Sequence, residues 1–110
     1  MASGTPVMAL RGTGNMEYMT DDNAFLVDVE FVEIPEDTHL TYLNNIYFAP
    51  QQWMEPKIVD LQKMLRHIVD HPEEREAKAA QALKDVQEKW TWEKAGQKML
   101  ARLEEIEAAL

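Results

Sequence analysis

The 110-residue chain has no cysteine, so it can form neither a disulfide nor a thiolate metal site. This suits a reducing compartment, and the cytoplasm is the expected location. Basic residues are scarce: 11 Lys and Arg stand against 20 Asp and Glu, a formal net charge of −9. Nucleic acid and anionic membrane surfaces both select a basic footprint, so neither is expected as a partner. No apolar run approaches the ~20 residues that cross a bilayer. The start lacks a charged segment followed by an apolar core. Neither a membrane span nor a signal peptide is therefore expected. Glycine is sparse too, with four in all, and Gly12 and Gly14 fall in one short loop.

What is present reads as one small unit organised around its first third. Ser3-Gly4-Thr5-Pro6 is a turn, and Val7 to Leu10 is an apolar strand. The loop Gly12-Thr13-Gly14-Asn15 follows, then a short helical turn over Met16 to Met19. A polar turn, Thr20-Asp21-Asp22-Asn23, leads to a second strand from Ala24 to Val29, whose alternation continues through Phe31 and Val32 to Ile34. Strand, loop, short helix, strand is half of a βαβ-type nucleotide-binding unit. The expected fold class is α/β: a partial Rossmann-like unit of about two short parallel strands, a long connection and three C-terminal helices. Residues 1–34 form the strand unit, 35–55 an irregular connection pinned by Leu40, Tyr42, Leu43, Ile46, Tyr47 and Phe48, and 56–110 the helical part. A helical turn is expected near Thr41 to Asn45. Two strands are too few for a stable parallel sheet, so the core is expected to be incomplete.

The helices are expected over 56–70, 73–89 and 92–109. Pro56 suits a first helical turn, and Ile58, Leu61, Met64, Leu65 and Ile68 make one apolar face. Pro72 marks a second start, with Glu73, Glu74 and Glu76 complementing the helix dipole. Ala77, Ala80, Leu83 and Val86, with Ala82, give that helix a narrow small-residue face. Thr91 is the expected N-cap of the third helix. Its stripe of Trp92, Ala95, Met99, Leu103, Ile106 and Leu110 is expected to pack on the body of the chain, with a partner-binding role as the alternative.

Candidate chemistry is thin. Glycines before a short helix permit positive φ and close backbone approach, and free N–H groups there attract phosphate. The G-x-x-x-x-G-K-[ST] and G-x-G-x-x-G patterns are both absent, so a plain strand-to-helix turn accounts for the loop as well. Glu17 can contact a ligand or simply complement the dipole. His67 and His71 have helical i, i+4 spacing but no completing ligand, and Asp21-Asp22 reads as a turn and cap rather than a metal pair. No Ser/His/Asp spacing suggests a nucleophile, and no metal and no cofactor are expected.

Three stretches together resemble a known family. S-G-T-P-V-x-A at Ser3 to Ala9, G-N-x-E-Y-M at Gly14 to Met19, and D-x-N-A-F-L-V-D at Asp21 to Asp28 are similar to the C-terminal domain of family 4 ("group 1") glycosyltransferases. Trp53-Met54-Glu55-Pro56 followed by Leu61 and Met64-Leu65-Arg66 resembles that family's W-x-x-P stretch. Glu88-Lys89-Trp90-Thr91-Trp92-Glu93 resembles its closing aromatic region. Thr13 stands where the family often has a glycine.

The resemblance implies a GT-B architecture of two Rossmann domains and retaining sugar transfer from a nucleotide-sugar donor. It implies donor-side positions at Gly14, Asn15 and Glu17, with Gly4 and Thr5 near the pocket floor, and no catalytic residue in this chain. In the family a pair of donor-contacting glutamates lies just upstream of the stretch matched by Ala2 to Val7, with diphosphate-binding basic residues earlier still and an acceptor domain before them. The chain is accordingly expected to be a fragment, inactive alone, whose donor is a nucleotide sugar in the intact parent and whose isolated form self-associates. The alternative is a small non-catalytic interaction module that self-associates, in which the glycine loop is only a turn.

Overall fold

The computed structural model describes residues 1–34 and 52–110, and the expected helical turn near Thr41 to Asn45 lies outside them. The first strands, β1 (Met8–Leu10) and β2 (Phe25–Val27), pair in parallel with Met8 opposite Phe25 and Leu10 opposite Val27. Flanking bonds lengthen the ladder: Phe25 N donates to the Val7 carbonyl at 2.9 Å, and Arg11 N to that of Val27 at 2.8 Å. A 3-10 turn, Gly14–Glu17, forms the short helix of the crossover. All three residues of β2 are buried, as expected of a continuously apolar run in a parallel pair. Met19, Ala24 and Leu26 form the core, with Met1, Val7 and Ala9 packed against them.

The strand expected from Ala24 to Ile34 is two strands. Asp28 leaves the ladder, and its carboxylate accepts from Arg11 Nε at 2.9 Å. Beyond it β3 (Val29–Glu33) takes a different partner, β4 (Gln52–Pro56), in an antiparallel pair with Val29 opposite Pro56 and Phe31 opposite Met54. The described residues are thus mixed α/β with two small sheets, where the sequence suggested one parallel pair. Gln52-Trp53-Met54-Glu55 has no β-branched residue, and its partner is remote in sequence, so local propensity signals the strand weakly. Pro56 closes β4 instead of opening a helix; proline is tolerated there because a terminal residue can do without a ladder donor.

Three helices follow: α1 (Ile58–Asp70), α2 (Pro72–Lys89) and α3 (Trp92–Ala109). Thr91 caps α3 as expected, its Oγ1 accepting from Lys94 N at 3.3 Å. Helix α1 packs on β2 and α2. It does so through Leu61, Met64, His67 and Ile68, leaving Ile58 71% and Leu65 53% exposed. The inward face of α2 is Ala79, Ala82 and Asp85, with Ala77 and Ala80 exposed. It is therefore rotated from the expected alanine face. The stripe on α3 lies open, with Trp92 95% and Leu103 61% exposed. Its positions satisfy helical periodicity, but periodicity does not determine what covers a face.

Candidate functional site

The crossover after β1 is shaped by Gly12 and Asn15. Gly12 has φ +151°, and a Cβ placed on it would stand 2.6 Å from Met54 Sδ and 3.3 Å from Val29 Cγ2. Its lack of a side chain lets the β3–β4 pair sit against the end of β1. In open α/β sheets that is the end where ligands usually enter. Asn15 turns inward, its Nδ2 donating to the Leu10 carbonyl at 3.0 Å, while its Oδ1 accepts from the Thr13 hydroxyl. Its carbonyl accepts from Tyr18 N at 3.1 Å, which closes the 3-10 turn, and from Met19 N at 2.8 Å. Gly14 opens that turn with nothing within 4 Å of a hypothetical Cβ. Gly4 has φ +72° and donates from N to the Met1 carbonyl at 3.0 Å. Thr5 Oγ1 lies 3.0 Å from Ser3 Oγ.

Of these five donor-side candidates, only Glu17 borders the large cleft of about 710 Å³ between the Tyr18-to-Asn23 turn and α2. That volume falls within the range of small-molecule sites. The cleft is organised by Asn23, whose Oδ1 accepts from Thr20 N at 2.8 Å and whose Nδ2 donates to the Tyr18 carbonyl at 3.1 Å and to Asp85 Oδ2 at 2.9 Å. Asp85 also accepts from Lys89 Nζ at 2.6 Å and Gln81 Nε2 at 3.2 Å. The Lys89 and Asn23 hydrogen bonds hold its carboxyl below the ordinary aspartate range, against the opposing effect of burial. Lys89 is raised by the same pair.

A second charged group flanks the first. Arg11 grips Asp21 at 2.5 and 3.2 Å and Asp28 at 2.9 Å, lowering the Asp21 carboxyl by hydrogen bonding. Lys78 donates to the Asp21 carbonyl and lies 5.1 Å from the centre of the Phe25 ring. Tyr18 and Trp90 meet edge to face at 6.0 Å, and Lys98 Nζ sits 4.6 Å from the centre of the Trp90 ring. The cleft thus offers carboxylates, amides and an aromatic wall. Lys89 is engaged with the buried Asp85, and Lys78 with the Asp21 carbonyl and Glu74, so both lysines of the cleft are already held by protein oxygens.

The His67 and His71 rings stack at 4.0 Å, and His67 Nε2 lies 2.7 Å from Glu74 Oε2. This contact lowers the Glu74 carboxyl, chiefly by hydrogen bonding. Among the described residues no group of three His, Cys, Asp or Glu side chains could hold a metal ion. No described helix is long and apolar enough to cross a membrane. Sequence reasoning missed Asp85, Lys78, Lys89, Tyr18 and Trp90 as a set. One signal was available: Asp85 lies three residues beyond Ala82 on the same helical face. No protein-family model, curated protein or solved structure matches this chain.

Proposed function

We propose that this chain is the donor-side portion of a retaining nucleotide-sugar glycosyltransferase of GT-B type, acting in the cytoplasm and contributing part of the donor pocket without the groups that drive transfer. The observation that carries the reading is the coincidence of motif and backbone. The S-G-T-P-V-x-A stretch runs into β1, G-N-x-E-Y-M makes the 3-10 turn, and D-x-N-A-F-L-V-D makes the Asn23 turn and β2, parallel to β1. That order is what half of a Rossmann-like unit requires. Glu17, with the Gly14 and Asn15 backbone, is the donor-side edge; Gly4 and Thr5 support the turn before β1. Sugar transfer needs stabilisation of a departing nucleotide diphosphate and a positioned acceptor. Among the described residues the cations bordering the cleft are Lys78 and Lys89, both held by protein oxygens. The chain alone is therefore expected to bind a donor weakly and to transfer nothing.

Titration of the ¹⁵N-labelled chain with UDP-, GDP- and ADP-linked sugars tests this. Amide shifts confined to Gly12 through Glu17 are expected for one nucleotide class, with no sugar release. Absence of shifts with every donor at millimolar concentration defeats the donor reading, and measurable turnover by the pure chain defeats the claim of inactivity.

A second reading, a non-catalytic interaction module, is favoured by a separate observation. Ile58, Val59, Leu65 and Val69 of α1 and Trp92, Met99, Leu103, Ile106 and Leu110 of α3 are all more than 40% exposed. Under this reading the glycine loop is a turn alone, and no donor shifts its amides.

A further inference from the structure

We propose that the corner between α2 and α3 is a binding site for a planar aromatic anion, a flat ring that bears one carboxylate. A cavity of about 510 Å³ opens there, lined by Lys89, Trp90, Thr91, Trp92, Ala95 and Lys98. Its volume falls within the range of small-molecule sites. Trp90 and Lys89 also border the cleft beside the Asn23 turn, but Thr91, Trp92, Ala95 and Lys98 do not. The two openings are therefore distinct.

The local backbone makes the aromatic walls. Trp90 ends α2, Trp92 begins α3, and Thr91 between them is extended at φ −89° and ψ 159°. Side chains two apart across an extended residue project to the same side, so both indoles reach one cavity. They line it without stacking on each other. Trp90 makes its edge contact with Tyr18, and among the described residues Trp92 makes no ring contact. Trp92 is 95% exposed, against 38% for Trp90. An indole so bare gains transfer and dispersion energy from any apolar cover, and a flat ring adds the offset or edge-on geometry that aromatic pairs prefer.

Charge sets the sign of the ligand. The chain carries −9, yet the ionised groups that line this cavity are both cations. Lys89 is neutralised by Asp85 at 2.6 Å. Lys98 is not: its Nζ lies 4.6 Å from the centre of the Trp90 ring, and it forms no salt bridge among the described residues. Glu88 and Glu93 adjoin the corner in sequence, but neither lines the cavity. A carboxylate beside the Trp90 ring thus meets an ammonium with no acid in the wall to compete. The Thr91 hydroxyl oxygen accepts from Lys94 N, which leaves its proton to donate to the same carboxylate. A cationic ring would be repelled by Lys98, a neutral one would gain only the stacking, and an anion without a ring would leave the indoles bare.

The proposal does not rest on the donor reading, which concerns the amides of Gly12 through Glu17 and can succeed or fail separately. Three probes of closely matched shape test it: indole-3-acetate, indole-3-acetamide and tryptamine. Each is titrated to about 10 mM into the ¹⁵N-labelled full chain and followed at the three indole N–H resonances. Indole-3-acetate should shift Trp90, Trp92 and the Lys98 amide, leave Trp53 unmoved, and bind about fivefold more tightly than the acetamide. Tryptamine should bind more weakly still. Trp92→Ala removes a side chain that touches almost nothing in the chain. It should leave the fold intact and weaken indole-3-acetate at least about tenfold. Lys98→Met keeps an apolar stem on the Trp90 ring and should bring acetate and acetamide to equal affinity. Equal affinity in the unmodified chain, a preference for tryptamine, a preference that survives Lys98→Met, or unmoved Trp90 and Trp92 at the highest concentration would each overturn the proposal.

Discussion

Asn23 donates from Nδ2 to Asp85 Oδ2 at 2.9 Å across 62 residues of sequence, and both side chains are buried. The same amide also holds Thr20 N and the Tyr18 carbonyl, so one residue shapes the turn before β2 and ties it to α2. A buried polar group is costly unless its partners are in place, so removing either residue strands the other.

Asn23→Ala and Asp85→Ala should therefore each destabilise the fold by about 2–3 kcal/mol. The double variant should cost about 1–2 kcal/mol less than the sum of the singles. Urea unfolding of the four proteins gives the coupling directly, and strict additivity would show that the two side chains do not act together.

The lowered Asp85 carboxyl should dominate the acid limb of stability, with Asp21 and Glu74, lowered too but exposed to solvent, contributing less. Each has a folded pKa below its unfolded value, so the unfolded chain takes up protons first. The stabilisation is complete above the unfolded carboxylate range near pH ~4 and fades as pH falls through the lower folded values. Asp85→Asn should flatten that limb while lowering stability at neutral pH. Unfolding midpoints between pH 3 and 7 check it, and an unchanged slope in the variant would exclude Asp85 as a contributor.

Gly12 and Gly14 should respond differently to alanine. At Gly12 the backbone has φ +151° and the added carbon meets Met54, so Gly12→Ala should cost about 1–3 kcal/mol and disturb the β3–β4 pair. Adding Met54→Ala should remove the steric share of that cost but not the backbone share. Gly14→Ala enters open space at an ordinary φ and should leave stability within about 0.5 kcal/mol. Thermal melts distinguish the two.

Thr91→Ala removes the cap on Lys94 N and should cost about 1 kcal/mol. Because α3 packs broadly on no other described element, the loss should appear as lower helicity by circular dichroism, with the β1–β2 core unaffected. A uniform loss of amide-exchange protection throughout the chain would instead mean that α3 is cooperative with the core.

The sequence by itself determined the local features. Short-range signals sufficed for them: an apolar triplet at Phe25 to Val27, the glycines around Thr13, the proline at 72, the Thr91 hydroxyl, and the apolar stripe of α3. Each is decided within a few residues, by dihedral restriction, capping or periodicity. Tertiary structure alone decided that Asp28 breaks one apparent strand into two, and that β3 finds Gln52 to Pro56 as its partner. It also decided that Gly12 makes room for Met54, and that α2 turns Asp85 toward Asn23 rather than presenting its other alanines. These outcomes depend on pairings between segments remote in sequence, where hydrogen-bond satisfaction and close packing outweigh the weak preferences of either segment alone.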